Sequence, residues 1–163
     1  MTTEASRDAL FEQLAERLGH RFDGEIRIGG NYVPAIENGN EIYISGQIPR
    51  VDTTVVVTGR VGAETSLEDG RRAARICTMR ALAILRQSLG SLAHVKRILR
   101  ITVYVQSAAD FTQQSEVADG ASEVLYMVFG EVGAHARTSV GVYQLPKNAS
   151  VELDMIVTTD KAA

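Results

Sequence analysis

Two closely spaced strands near the C-terminus constrain the fold of this chain more than any other feature. Side chains that alternate between two faces predict a first strand from Ala136 to Gln144 and a second from Ser150 to Thr158. The segment between them, residues 145–149, contains Pro and Asn, which are frequent in turns. In the second strand apolar residues alternate with acidic ones. The apolar faces of both strands must therefore meet a core.

Arg137 in the first strand is a candidate ligand-binding residue. It shares a face with Ser139, whereas Val140 lies on the opposite face. If the valine face meets the core, Arg137 lies on a polar face beside small residues that leave room for a ligand. Its planar guanidinium offers paired donors that suit a carboxylate. The alternative is a surface arginine paired across the strands with Glu152 or Asp154.

The length and charge of the chain limit the classes of function. Its 163 residues fit a single domain, with a core over residues 25–158 and an added N-terminal helix over residues 4–19. A net charge of −3 gives no support to a nucleic-acid partner. No apolar run approaches the roughly 20 residues that span a bilayer. The polar N-terminus does not resemble a signal peptide, and one cysteine cannot form an internal disulfide, so a cytoplasmic location is expected.

The first half of the chain is predicted to contain a β-hairpin and a further strand. Residues 25–28 are expected to enter the hairpin, and a Gly- and Pro-rich bend follows at residues 29–34. Asn38-Gly39 is a strong hairpin-turn signal, and residues 41–45 form the return strand. Residues 53–58 are predicted to form another strand.

Two long helices are predicted in the rest of the chain. An apolar stripe favours a helix over residues 66–89, which starts with a serine cap and acidic residues. Its arginines, including Arg80, are expected on a solvated face, and Cys77 is expected to be a small buried hydrophobic residue. Residues 95–106 are predicted to form a strand, and residues 113–129 a second long helix.

The order of these elements predicts an α+β fold. A mixed, largely antiparallel sheet would carry the two long helices on one face, with the N-terminal helix added on the outside.

Two motifs, in the same order, resemble the signatures of the reactive-intermediate deaminase family, called RidA or YjgF and often named endoribonuclease. Residues 136–140, followed by residues 145–147 and 151–153, resemble one signature, and residues 44–49 resemble the other. The similarity extends over residues 29–158. It implies a fold similar to the trimeric chorismate mutase, and a homotrimer with ligand clefts between its subunits.

The resemblance implies that the chain hydrolyses 2-imino or 2-enamino acids to 2-keto acids and ammonia. Arg137 would bind the substrate carboxylate, and Glu152 would position the water or exchange a proton with the leaving amine. No cofactor is expected, because an imine is already electrophilic.

Three further residues are assigned to substrate binding from the first half of the chain. Tyr32 and Ser45 resemble the tyrosine and serine of the family pocket, and Gly46 belongs to the same motif. The alternatives are that Tyr32 anchors a loop and that Ser45 is a turn residue.

The second half of the chain supplies three more substrate-binding candidates. Asp119 is the nearest candidate for the polar pocket residue near the start of the second long helix. His135 lies two residues before Arg137 and would point to the same side of an extended chain, although a loop role is the alternative. Ser139 stands where many members have a cysteine.

Two other functions stay open. One is a module that binds a small carboxylate such as a keto acid without turnover. The other is an endoribonuclease, which the acidic pI of about 5.6 and the absence of Trp disfavour. No metal site is predicted, because His20, His94 and His135 are scattered along the chain.

Overall fold

The computed structural model describes residues 5–160. In chain order its helices and strands are α1 (Arg7–Leu18), β1 (Ala35–Asn38), β2 (Glu41–Gln47), β3 (Arg50–Val51), β4 (Thr54–Val55), α2 (Leu67–Leu89), β5 (Val95–Gln106), α3 (Gln114–Phe129), β6 (Ala136–Val142) and β7 (Val151–Thr159).

Five of the strands form one sheet in the order β1-β2-β7-β5-β6. Every neighbouring pair is antiparallel except β5 and β6, which are parallel. A parallel pair needs a crossover connection, and α3 supplies it. β3 and β4 form a separate two-stranded ribbon. The predicted α+β fold with a mixed, largely antiparallel sheet is confirmed.

Helices α2 and α3 cover one face of the sheet. The Ser66 side chain caps α2 by accepting a hydrogen bond from the Asp69 amide at 3.1 Å, as predicted. The two helices approach closely at Gly120, where a Cβ atom would overlap the carbonyl oxygen of Arg71. On the side of α2 that faces β7, Cys77 is fully buried, as predicted, and this burial raises the pKa of its thiol.

Helix α1 is added on α2 and α3, as predicted, and contributes apolar side chains to the core. Phe11 is buried and meets the Phe22 ring edge-on at 6.3 Å between centroids, while the Arg86 guanidinium lies 4.4 Å from the centroid of the Phe11 ring. The helix starts at Arg7, and residue 4, where the predicted helix begins, lies outside the described residues. None of the helices within residues 5–160 is long and apolar enough to cross a membrane.

Two of the predicted strands are wrong or incomplete. Residues 25–28 form no strand, because the carbonyl of Arg27 accepts a hydrogen bond from the α2 side chain of Arg80 rather than from a neighbouring strand. The strand predicted over residues 53–58 is reduced to β4. Asp52, with a φ of 53°, turns the chain sharply between β3 and β4.

The two C-terminal strands, β6 and β7, are not neighbours, because β5 lies between them. Arg137 therefore cannot pair across adjacent strands with Glu152 or Asp154. The predicted orientation of the first strand is also wrong. Val140 lies on the face that the helices leave open and is 38% exposed, whereas Arg137 lies on the helix-covered face. The valine face of β6 is exposed because the helices cover the opposite face of the sheet.

Candidate active site

Arg137 lies at the end of a row of side chains that crosses the sheet. The strand register aligns it with Ile101, Met155 and Ile44, which are all buried on the helix side. Because β6 is the last strand of the sheet, the row ends in a polar group at the sheet border. Ser139 follows on the same side of β6, as predicted from the alternation.

Helix α3 fixes the Arg137 guanidinium in place. Nη1 donates to Asp119 Oδ1 at 2.8 Å and to Ser122 Oγ at 2.9 Å. Nη2 donates to the Oγ of Ser115 at 2.9 Å and to its carbonyl oxygen at 3.3 Å. Asp119 therefore contacts Arg137 itself and balances its charge. Both serines were missed in the sequence, although the spacing of residues 115, 119 and 122 places them on one helix face.

His135 supports the same arginine through Ser122. Its Nδ1 lies 2.6 Å from the carbonyl oxygen of Gly133, and its Nε2 lies 2.9 Å from Ser122 Oγ. A carbonyl can only accept, so Nδ1 carries the proton and Nε2 accepts from the serine hydroxyl. Ser122 Oγ is then free to accept from Arg137. His135 is thus a support for Arg137 rather than an unpartnered loop residue.

A second group of candidate residues lines a cleft with a volume of about 210 Å³. Tyr32 reaches it from the bend before β1 and is 50% exposed. The Ser45 hydroxyl donates to the carbonyl of Val33 at 2.7 Å and so holds that bend. Ser45 thus positions Tyr32 and is absent from the lining. The lining consists of Arg27, Ile28, Gly29, Tyr32, Gly46, Gln47, Ile48, Arg50, Arg80, Pro146, Lys147 and Glu152.

Glu152 is the one carboxylate of this lining. Within residues 5–160 its side chain makes no hydrogen bond, and partial burial, followed by the nearby charge of Asp154, raises its pKa. A Cβ atom at Gly46 would overlap Oε1 of Glu152, so any side chain there would displace the carboxylate. The glycine therefore lets a bulky carboxylate lie against the β2 backbone.

The cleft also contains arginines that the sequence analysis did not assign to a site. Arg80 is only 4% exposed, although a solvated position was predicted for it. It donates to Gln47 Oε1 at 3.1 Å and to the carbonyls of Arg50 at 2.8 Å and Arg27 at 3.2 Å. Burial lowers the pKa of its guanidinium. A lone arginine between apolar residues in α2 was the available signal, but the sequence does not show what covers that side of the helix.

Arg137 and Glu152 lie on opposite faces of the sheet. Arg137 is aligned with the buried Ile101, whereas Glu152 is aligned with Tyr104 and, through it, with Val140 on the open face. The chain therefore carries two separate groups of candidate residues: the Arg137 cluster, formed by Arg137 with Ser115, Asp119, Ser122 and His135, and the Glu152 cleft. Among residues 5–160 no group of three or more metal-binding side chains occurs.

Comparison with known proteins establishes the family. Residues 23–157 match the model of the family described as "YjgF/chorismate_mutase-like, putative endoribonuclease". The chain belongs to this family, and the resemblance inferred from the two motifs is confirmed.

Three known proteins are similar to this chain over most of its length. Protein TCP17 of Trypanosoma cruzi is 41% identical over 143 residues, which cover 87% of this chain and 89% of TCP17. A 2-iminobutanoate/2-iminopropanoate deaminase of Dermatophagoides farinae is 29% identical over 132 residues, covering 80% of this chain and 88% of the deaminase. The crystal structure of Atu1372 from Agrobacterium tumefaciens, a protein of unknown function, is 36% identical, covers 95% of both chains and has a TM-score of 0.85.

Proposed function

We propose that this protein hydrolyses 2-imino acids to 2-keto acids and ammonia. The observation that carries the proposal is the Arg137 guanidinium, which α3 holds rigidly at the sheet border through Asp119, Ser115 and Ser122. The two Nη groups are occupied by these acceptors, so Arg137 would hold the carboxylate next to the imine carbon through its Nε–H and its fixed positive charge. The deaminase from Dermatophagoides farinae, a relative that matches 80% of the chain, supports this reaction class.

The separation of the Arg137 cluster from the Glu152 cleft supports a site shared between subunits. Arg137 and Glu152 cannot act on one small substrate from opposite faces of the same sheet, so the proposal requires a second copy of the chain. The open face of the sheet carries exposed apolar side chains that suit burial against that copy, among them Ile36 and Tyr43, which the register aligns with Ile156. We infer a homotrimer, in which Arg137 of one subunit meets the Glu152 cleft of the next.

The reaction needs a carboxylate anchor and a group that handles protons. Arg137 binds the substrate carboxylate, and the Tyr32 ring lies against the substrate from the bend. Glu152, in its ionised form, accepts a proton from the water that attacks the imine carbon. The attack on the protonated imine gives a carbinolamine, and Glu152 returns the proton to its amine nitrogen. The C–N bond then breaks as ammonia leaves, and Glu152 takes up the hydroxyl proton as the C=O bond forms. A raised pKa brings Glu152 closer to the operating pH, which favours this shuttle.

A coupled assay tests the proposal. An amino-acid oxidase generates the imine, and keto-acid formation is followed with and without the protein. Acceleration well above the rate of spontaneous hydrolysis is expected. A folded oligomer that binds keto acids but accelerates no imine would contradict the proposal and identify a carboxylate-binding module instead.

A further inference from the structure

The Glu152 cleft contains more positive charge than one carboxylate can balance. Its lining includes four cationic side chains, Arg27, Arg50, Arg80 and Lys147, against Glu152. Within residues 5–160 none of the four forms a salt bridge. By contrast, Arg71 and Arg75 on α2 pair with Glu68 and Glu123. The cleft therefore brings four cations without an ion-pair partner among the described residues around one carboxylate.

Arg80 sets a permanent positive potential at the cleft. It is nine-tenths buried and bonded to one amide oxygen and two backbone carbonyls, all of them neutral acceptors. A buried guanidinium without a counter-ion is costly, and the cost falls when an anion lies nearby. Since the acceptors already hold Arg80 in place, its charge acts on the cleft without the side chain moving.

Arg50 offers a donor that no residue uses. Its Nε is buried and has no hydrogen-bond partner within residues 5–160. Its own carbonyl receives the bond from Arg80 at 2.8 Å, which ties its backbone to the base of the cleft. No other nitrogen of its guanidinium donates a hydrogen bond within residues 5–160 either, so Arg50, which lines the cleft, can still take an acceptor from a ligand.

We propose that the cleft binds a second acid group on the substrate. This inference rests on the proposed function, in which Arg137 of the neighbouring subunit takes the carboxylate next to the imine. Arg50 then binds a carboxylate on the substrate side chain, in the field of Arg80 and Lys147. A volume of about 210 Å³ is below that of drug-sized pockets, which suits a short-chain diacid. The substrate class is the imines of acidic amino acids.

Substrate preference and a charge-specific variant test this assignment. Imines are generated from an acidic amino acid and from a neutral one of similar length, and kcat/KM is measured for both. The acidic imine is expected to be preferred by at least about tenfold, and Arg50→Gln is expected to lower that preference by about tenfold. Arg50→Lys, which keeps the charge, should retain part of it. Arg21→Ala, which removes an exposed arginine outside the cleft lining, should retain all of it.

A binding measurement separates failure of the inference from failure of the proposed function. Calorimetry compares 2-oxoglutarate, 2-oxobutanoate and inorganic phosphate on the wild type and on Arg50→Gln. If no imine is hydrolysed, the proposed function fails, yet tighter binding of 2-oxoglutarate that Arg50→Gln weakens still supports the second acid site. Equal affinity for the two keto acids, or equal turnover of both imines, overturns it. Stronger binding of phosphate than of 2-oxoglutarate overturns the carboxylate assignment.

Discussion

The Arg137 cluster and the Glu152 cleft satisfy their charges in opposite ways. Both Nη atoms of Arg137 have acceptors, and Asp119 balances its charge. In the cleft, Arg80 has only neutral acceptors, the Nε of Arg50 has none within residues 5–160, and Glu152 accepts no hydrogen bond there.

This difference indicates which of the two groups has its side chains fixed by partners before a ligand binds. Rigid, satisfied groups keep their geometry when a ligand binds, so the Arg137 cluster is an anchor. Unsatisfied groups change their energy most when a ligand supplies the missing partner, so the Glu152 cleft gains most from occupation. In the proposed site, positioning and chemistry are therefore separated between two surfaces that the proposed assembly would bring together.

The largest effect is expected from removing the anchor. Arg137→Ala should lower kcat/KM for imine hydrolysis by about 10³-fold, because the substrate carboxylate loses its charged partner and is left unpaired in the site. The oligomer should stay folded, since Arg137 lies at an edge and not in the core. Steady-state kinetics and size-exclusion chromatography check this, with Arg21→Ala as the surface control. Near-normal activity in Arg137→Ala would show that the Arg137 cluster is not part of the site.

The next effect concerns the proton shuttle in the cleft. Glu152→Gln should lower kcat by about 10²-fold. In the wild type, activity should rise with pH as Glu152 ionises, with a midpoint above the ordinary glutamate value because its pKa is raised. The variant should lack this acid limb. A pH–rate profile that is the same in both proteins would show that Glu152 does not transfer the proton.

A smaller effect tests the fit of Glu152 against the backbone. Gly46→Ala should lower kcat about tenfold, because the new methyl group displaces the Glu152 carboxylate. Gly24→Ala is the matched control, since a Cβ atom there meets nothing within 4 Å. Equal activity of the two variants would mean that the position of Glu152 matters little.

The anchor can also be loosened rather than removed. Asp119→Asn keeps the shape of the side chain but removes the ion pair to Arg137. KM should rise about two- to fivefold, the range expected for a partly exposed pair. Kinetics on one neutral imine suffice for this test. A large fall in kcat instead would show that Asp119 takes part in the reaction itself.

The smallest effect is on stability. Because the pKa of Glu152 is raised in the folded state, its ionised form destabilises the fold as pH rises through that pKa. Glu152→Gln, which mimics the protonated form, should therefore raise Tm at neutral pH by less than about 4 °C. The gain should disappear at acidic pH, below the pKa of the unfolded chain. A lower Tm at neutral pH would mean that the ionised carboxylate is stabilised by partners in the assembly.

Much of the secondary structure could be predicted from the sequence, because signals between neighbouring residues determine it. The Ser66 cap, the Asn38-Gly39 turn and the long β-branched strand β5 all depend on residues near in sequence. The order of the strands in the sheet does not depend on residues near in sequence. Two strands joined by a short turn look like a hairpin, but the α3 crossover pairs β6 with β5 and leaves β7 on the other side of β5.

Only part of the candidate site could be predicted from the sequence, for a related reason. The motifs pointed to Arg137, Glu152 and Gly46. Alternation alone placed Arg137 on the wrong side, because it could not show which face of β6 the helices cover. Arg80 was expected in solvent, since nothing in α2 shows that the chain around residues 27 and 50 covers it. Contacts between residues distant in sequence decide these positions.

A mixing experiment tests the shared site most directly. Arg137→Ala subunits and Glu152→Gln subunits, each nearly inactive alone, are combined under conditions that exchange subunits, and imine hydrolysis is measured. In a cyclic trimer with sites between subunits, every mixed trimer contains one cleft with both residues intact, so an equal mixture should recover about one quarter of the wild-type rate. If the mixture stays as inactive as its components although mixed trimers have formed, Arg137 and Glu152 do not act together across a subunit boundary.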